Sequence, residues 1–293
     1  MKRLTLLAVA ALLAFSVVAQ NADQATLANA PRIELQLPKG AKGFRVERIN
    51  LFNSKQTISV ICYSPKQFKT TIVQPEKLTR LSVTATESGA DFGVNAGYWD
   101  VRIDQPSTYL VLDGKQIAET ADFEKERVDG LVCLGKKKVV IDHCKAGSEA
   151  PYAAKYKNIL ASGPVLIDEG VAVDHSVYTN GMVDTANGLP VGAFYTYTRR
   201  HPRTAMGTDK KGNVYLVVVD GRSQGNAEGV TIAELTKVCE WLGMRDAINL
   251  DGGASSSMWS KAEGVVSYPA RNKKFDHAGE RKVSSCVVVK SKK

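Results

Sequence analysis

Ala247-Ile248-Asn249-Leu250-Asp251-Gly252-Gly253-Ala254-Ser255-Ser256-Ser257-Met258 is the stretch from which the rest of the chain can be read. Its apolar start reads as a buried strand. A carboxylate, two glycines and three hydroxyls then stand where that strand must end. Gly252-Gly253 lets the backbone take φ > 0 or come close to a ligand, and the serines can donate to anionic oxygens or cap local backbone. A serine-rich turn with an Asx-type hydrogen bond from Asp251 would look the same, and the segment alone does not separate the two.

Just upstream, Thr231-Ile232-Ala233-Glu234 forms a capping box with Thr231 as N-cap, which gives Glu234 a sufficient structural role. Ile232, Leu235, Val238, Cys239 and Leu242 recur at helical spacing, and Gly243 stops the helix. Before it, Arg203 to Thr208 and Asn213 to Val219 flank the turn Asp209-Lys210-Lys211-Gly212 as a hairpin that ends at Asp220-Gly221-Arg222. Strand, helix and strand from Val214 to Leu250 predict a βαβ unit with parallel strands and a right-handed crossover. That geometry gathers Asp220, Arg222 and Asp251 at one sheet edge, where ligands bind in open α/β sheets. Antiparallel pairing adds Arg203 and Thr204 to the same edge.

Further out the pattern is strands. Phe44 to Ile49 alternates, Thr57 to Cys62 follows, Tyr109 to Ile117 is a hairpin on Asp113-Gly114, and Leu131 to Asp142 is another on a lysine turn. Ser162-Gly163-Pro164 breaks the run from Ile159 to Gly170 as an edge or bulge would. Asn95-Ala96-Gly97-Tyr98-Trp99 ends an apolar strand with a polar handle, a close-approach glycine and flat apolar surface, a combination that binds sugars and also simply packs. The fold class is therefore α+β or mixed α/β: a mixed sheet with hairpins, a C-terminal βαβ unit, and helices packed on the sheet.

Met1-Lys2-Arg3 followed by the apolar run Leu4 to Ala19 reads as a signal peptide over residues 1–19, too short for a membrane anchor. A flexible segment over 20–42 and a single domain over 43–293 complete the division, and the chain is expected to be secreted or periplasmic and off the membrane once the leader is removed. The net charge of +9 favours anionic partners, but the cations are dispersed, so nucleic acid is not an expected partner. Five cysteines with no CxxC pair argue against a zinc cluster. Cys133 and Cys144 flank a hairpin turn and are the candidate disulfide, while Cys239 reads as a buried thiol. His143, His175, His201 and His277 show neither metal nor triad spacing, and each reads as a surface or core histidine.

Three stretches in order, Asn95 to Trp99, Arg203 to Arg222, and Glu234 to Ser255, resemble the phosphodiester glycosidase family over about residues 90–290. Tyr98-Trp99 stands where that family usually has Phe-Phe, and Ala254 where it has a third glycine. The resemblance implies hydrolysis of a sugar-1-phosphodiester, such as an N-acetylglucosamine-1-phospho-sugar, on its glycosidic side. Asp251 would then be nucleophile or base and Asp220 its partner or orienter. Arg203 and Arg222 would fork onto the diester oxygens and stabilise the leaving phosphate, with Thr204 supporting Arg203. Asn95, Asn249, Ser255 and Ser256 would hold sugar hydroxyls or phosphate, and Gly97, Gly252 and Gly253 would allow close approach.

Two other classes compete. An exported carbohydrate- or phosphate-binding protein would use the same cleft without turnover, and a metal-dependent phosphodiesterase would attack phosphorus instead. No cofactor is required by the sequence; Asp220, Asp251 and loop carbonyls are hard oxygen donors that would suit Ca²⁺ or Mg²⁺, without EF-hand spacing.

Overall fold

The structure is a computed structural model that describes residues 22–175 and 197–292. The signal-peptide stretch 1–19 lies outside the described residues. Period-two patterning dominates, and the described residues are mostly β, 39% strand against 16% helix. Among the described residues the strands form sheets of eight, five and five, plus a two-stranded ribbon. No described helix is long and apolar enough to cross a membrane.

The eight-stranded sheet carries, side by side, Ser54–Tyr63, Val214–Val219, Arg203–Thr208, Asp246–Asn249 and Val165–Asp168. The two strands joined by the Ile232–Trp241 helix do point the same way, but they are not neighbours. Arg203–Thr208 lies between them, antiparallel to both, so in place of the expected mixed sheet, neighbouring strands pair antiparallel throughout this region. The reason is occupancy. One edge of Val214–Val219 is taken by its own hairpin partner and the other by Ser54–Tyr63, so the strand returning from the helix pairs at the next open edge. The shared direction still brings Asp220 and the Asp251 turn to one end of the sheet.

Each face of this sheet is covered. Ala205, Val217, Val219 and Ala247 pack under Ile232, Leu235, Val238 and Cys239 of the helix. Their sequence neighbours Met206, Leu216, Val218 and Ile248 face Phe92, Val94, Val287, Leu110, Val132 and Leu160 from the two five-stranded sheets. Each such aliphatic contributes about 1.5–3 kcal/mol by leaving water. The Thr231–Glu234 capping box forms as read, with the Thr231 hydroxyl accepting from the Glu234 N–H and the Glu234 carboxylate accepting from the Thr231 N–H. Asp113 and Gly114 take positive φ in their two-residue turn.

One expectation is corrected. The segment 20–42 is not loose throughout: residues 22–29 are helical, and Leu27, one apolar residue in a polar run, is buried against Val46 and Leu51. Ile33–Glu34 then adds an edge strand to Ala41–Leu51. In the hairpin Cys133 stands opposite Val140, whereas the Cys144 N–H donates to the Asp129 carbonyl, so the register does not make the two thiols cross-strand partners.

Candidate active site

Strand register builds the site. Ala205 lies opposite Asn249, so the chain beyond Asn249 continues along Thr204 and Arg203, and the Leu250 N–H donates to the Thr204 carbonyl at 2.8 Å. One residue later the Asp251 N–H donates to the Ala96 carbonyl at 2.9 Å. Asp251 therefore stands where the large sheet meets the end of the Phe92–Asn95 strand.

Asn95 makes that joint. Its fully buried side chain donates to the Asp251 carbonyl at 2.6 Å and accepts from the Thr204 hydroxyl at 2.7 Å and the Ser257 N–H at 3.1 Å. In place of the expected substrate contact, Asn95 pins the backbone of Asp251, and Thr204 supports Asn95 rather than Arg203. Asn249 is a second pin: its amide N–H groups reach the Tyr98 hydroxyl at 2.8 Å and the carbonyls of Gly163 and Leu250 at 2.9 and 2.8 Å. Gly97 is required for packing, since a Cβ there would fall 2.7 Å from Leu160 Cδ1. Buried polar side chains need partners, and Asn95, with both ends engaged, has little left for a ligand, whereas Asn249 is engaged only through its NH2 group.

The free polar valence lies above these pins. Ser256 Oγ and Asn249 Oδ1 are buried without a hydrogen-bond partner, and Ser255 Oγ engages only the Asp251 carboxylate. Each unpartnered buried atom costs about 1–3 kcal/mol, so a polar ligand reaching these groups would recover that cost. Asp251 is half-buried, and burial pushes its carboxyl up to about 6. The nearby Ser255 hydroxyl, then Arg127, then Arg281 favour its charged form. Arg127 lies 4.1 Å over the Tyr98 ring and is paired with buried Glu124; Arg281 lies 4.5 Å over Trp99. Neither arginine was visible in the sequence. Neither stands in a motif that would mark it.

Arg203 and Arg222 take different places. Arg203 is buried, and its guanidinium donates to the carbonyls of Val230 and Arg199, both at 3.0 Å. Burial lowers it to about 10, so it stays charged at neutral pH. Arg222 is exposed, with φ +61, and lies over the turn: a side chain on Gly253 would meet its Nη2 at 3.0 Å. Gly253 itself has φ +63, and a Cβ on Gly252 would press on the Pro202 carbonyl at 2.9 Å. Both glycines are thus demanded by the turn under Arg222. His201, read as an ordinary histidine, stands 3.5 Å from Arg222 Nη2. Burial, with Arg203, Arg222 and Arg199 around it, lowers it to about 4 and keeps it neutral.

Asp220 is at the same edge but turned elsewhere. It is buried, accepts from the Tyr268 N–H at 2.9 Å, and is influenced by Arg45 and Glu47. Burial raises it to about 7. Its surroundings do not overlap those of Asp251, so the expected pairing of the two carboxylates is replaced by a role anchoring the 268–280 loop. The same separation bears on a shared cation. Asp251 is flanked by two arginines, and among the described residues no three His, Cys, Asp or Glu side chains converge as a metal site.

The family pattern of the phosphodiester glycosidases matches residues 88–290, a span that contains every residue of this site. The chain belongs to the phosphodiester glycosidase family. The bovine (Bos taurus) N-acetylglucosamine-1-phosphodiester alpha-N-acetylglucosaminidase is 24% identical over 222 residues, covering 70% of this chain and 38% of the relative, so the match spans well under half of that protein. Among solved structures, the zebrafish catalytic domain of the enzyme with that name, auto-inhibited by its pro-peptide, superposes with a TM-score of 0.66 at 16% identity, covering 94% of this chain and 93% of the other. A hypothetical protein from Synechocystis gives 0.61 at 14% identity, covering 90% and 65%. An exported protein of Burkholderia pseudomallei gives 0.59 at 16%, covering 82% and 75%. These structural likenesses establish the fold.

Proposed function

We propose that this member of a hydrolase family cleaves a sugar-1-phosphodiester at the bond between the anomeric carbon and the phosphate oxygen. Water supplies the hydroxyl of the released sugar, and the phosphate leaves as a monoester on its other alcohol. The observation that carries this reading is the half-buried Asp251 carboxylate set beside the buried Ser255 and Ser256 hydroxyls, with Arg222 over the Gly252-Gly253 turn. Asp251 acts at the anomeric carbon as nucleophile or base. Arg222, backed by buried Arg203, receives the phosphate and stabilises the charge that grows as it leaves. Because that phosphate is a good leaving group, no strong general acid is needed beside it. Trp99, stacked on Arg281, supplies flat surface for the sugar ring.

N-acetylglucosamine is the sugar suggested by the name of the bovine relative. The charged and then apolar N-terminal stretch supports export to a periplasm or medium. Incubation with the methyl phosphodiester of N-acetylglucosamine-1-phosphate is expected to release the sugar and methyl phosphate. In Asp251→Ala the rate should fall by roughly 10²–10⁴. Wild-type binding without turnover would instead make the protein a binding module, and full activity in Asp251→Ala would remove Asp251 from the chemistry.

A further inference from the structure

The basic run Arg271-Asn272-Lys273-Lys274 has no place in the reaction above, yet the fold sets it at the site. The short helical turn Ala270–Asn272 packs on the Gly253–Ser255 turn. Its loop is a built object. Phe275 stacks on Tyr268 with ring centres 3.9 Å apart and an interplanar angle of 8°. Tyr268 is held by Asp220 through its N–H and by Glu47 through its hydroxyl. Asn272 Nδ2 donates to Asp276 at 2.7 Å, and the Ala278 N–H donates to the same carboxylate oxygen at 2.9 Å. The frame leaves the side chains of Arg271, Lys273 and Lys274 exposed, alongside exposed Arg222 and Arg48.

The carboxylates of this rim are already engaged: Asp276 within the loop, Glu47 with Arg45 and Tyr268, and Asp220 with Tyr268. Set against the one negative charge of Asp276, the exposed Arg271, Lys273 and Lys274 leave a net positive rim beside the Gly253–Ser255 turn. We infer that the loop Arg271–Lys274 reads the aglycone, favouring diesters whose alcohol carries a second anionic group, as in a chain of repeated phosphodiesters. This rests on the reaction proposed above, and it names the class of its substrate. Charge spread over several flexible cations selects for valence rather than for one geometry, which suits a repeating polyanion.

The test uses the full chain in three forms: wild type, the loop variant Arg271→Gln/Lys273→Gln/Lys274→Gln, and a control of equal charge change, Lys136→Gln/Lys137→Gln/Lys138→Gln, on another sheet. Binding of tri(glycerol phosphate), which has no sugar to cleave, is measured calorimetrically at low salt. The loop variant should bind about tenfold more weakly than wild type and the control nearly as well, with the difference fading as salt rises. Equal weakening in both variants, or none in the loop variant, overturns the inference. Turnover is measured in parallel on N-acetylglucosamine-1-phosphate esterified to methanol or to glycerol 3-phosphate. The ratio of kcat/KM for the second to the first should be about tenfold in wild type and near one in the loop variant; a ratio unmoved by the loop substitutions overturns the inference. Failure of wild type to cleave either compound would overturn the proposed reaction instead, and the binding measurement would still decide on the loop.

Discussion

Asp251 is a carboxylate that the fold makes harder to ionise, with Arg127 and Arg281 holding that effect in check. If its ionised form acts, kcat/KM should rise with pH through about 6 and level off above it. Arg281→Gln should move that rise to higher pH, because a cation favouring the carboxylate is lost. A pH profile that rises near 4, the ordinary range for such a group, or one that Arg281→Gln leaves in place, would contradict the assignment. Asp220 offers a stability test instead. In the unfolded chain it ionises near 4, whereas in the folded protein it keeps its proton until about 7. The native state therefore loses stability as pH rises through that window. Asp220→Asn keeps the acceptor for Tyr268 and should stabilise the protein by roughly 1–3 kcal/mol at pH 8 and by little at pH 4, as read from thermal melts. Asn95→Ala should do the opposite, costing about 2–4 kcal/mol because it strands the Thr204 hydroxyl and the Ser257 N–H; a melt unchanged by this substitution would show that Asn95 is not the pin described here.

At the scale of elements, the devices legible in the sequence were those whose partners lie a few residues apart. The Thr231–Glu234 capping box, the Asp113-Gly114 hairpin and the helix stop at Gly243 were all readable because each is closed locally. Thr231→Ala should cost about 1 kcal/mol of stability and leave the activity of folded molecules unchanged, which melting and assay of the same sample would check. Strand order was not readable. Nothing in Val214–Val219 states that Arg203–Thr208 holds one of its edges while Ser54–Tyr63 holds the other, since those hydrogen bonds are made by backbone common to every strand. The helix over residues 22–29 escaped for a related reason: it is held by one buried leucine in a stretch of polar composition.

For the whole molecule, the site is a product of convergence. The Asp251 turn announced itself by composition, whereas Arg127 and Arg281 reach it from positions more than a hundred residues apart and carry no local signature. The roles of Asn95 and Asn249 likewise depend on partners far along the chain, so an asparagine that looked like a substrate handle proved to be a structural pin. What the assembled fold presents is one half-buried carboxylate with Arg127 and Arg281 near it and Arg222 over the adjoining glycine turn, an arrangement that would suit breaking the proposed bond at carbon. The position of solvent oxygen tests this directly. When the methyl phosphodiester of N-acetylglucosamine-1-phosphate is hydrolysed in ¹⁸O-water and the products are read before the free sugar exchanges its anomeric oxygen, the label should appear in the sugar and not in methyl phosphate; label in methyl phosphate would mean attack at phosphorus and would contradict the account.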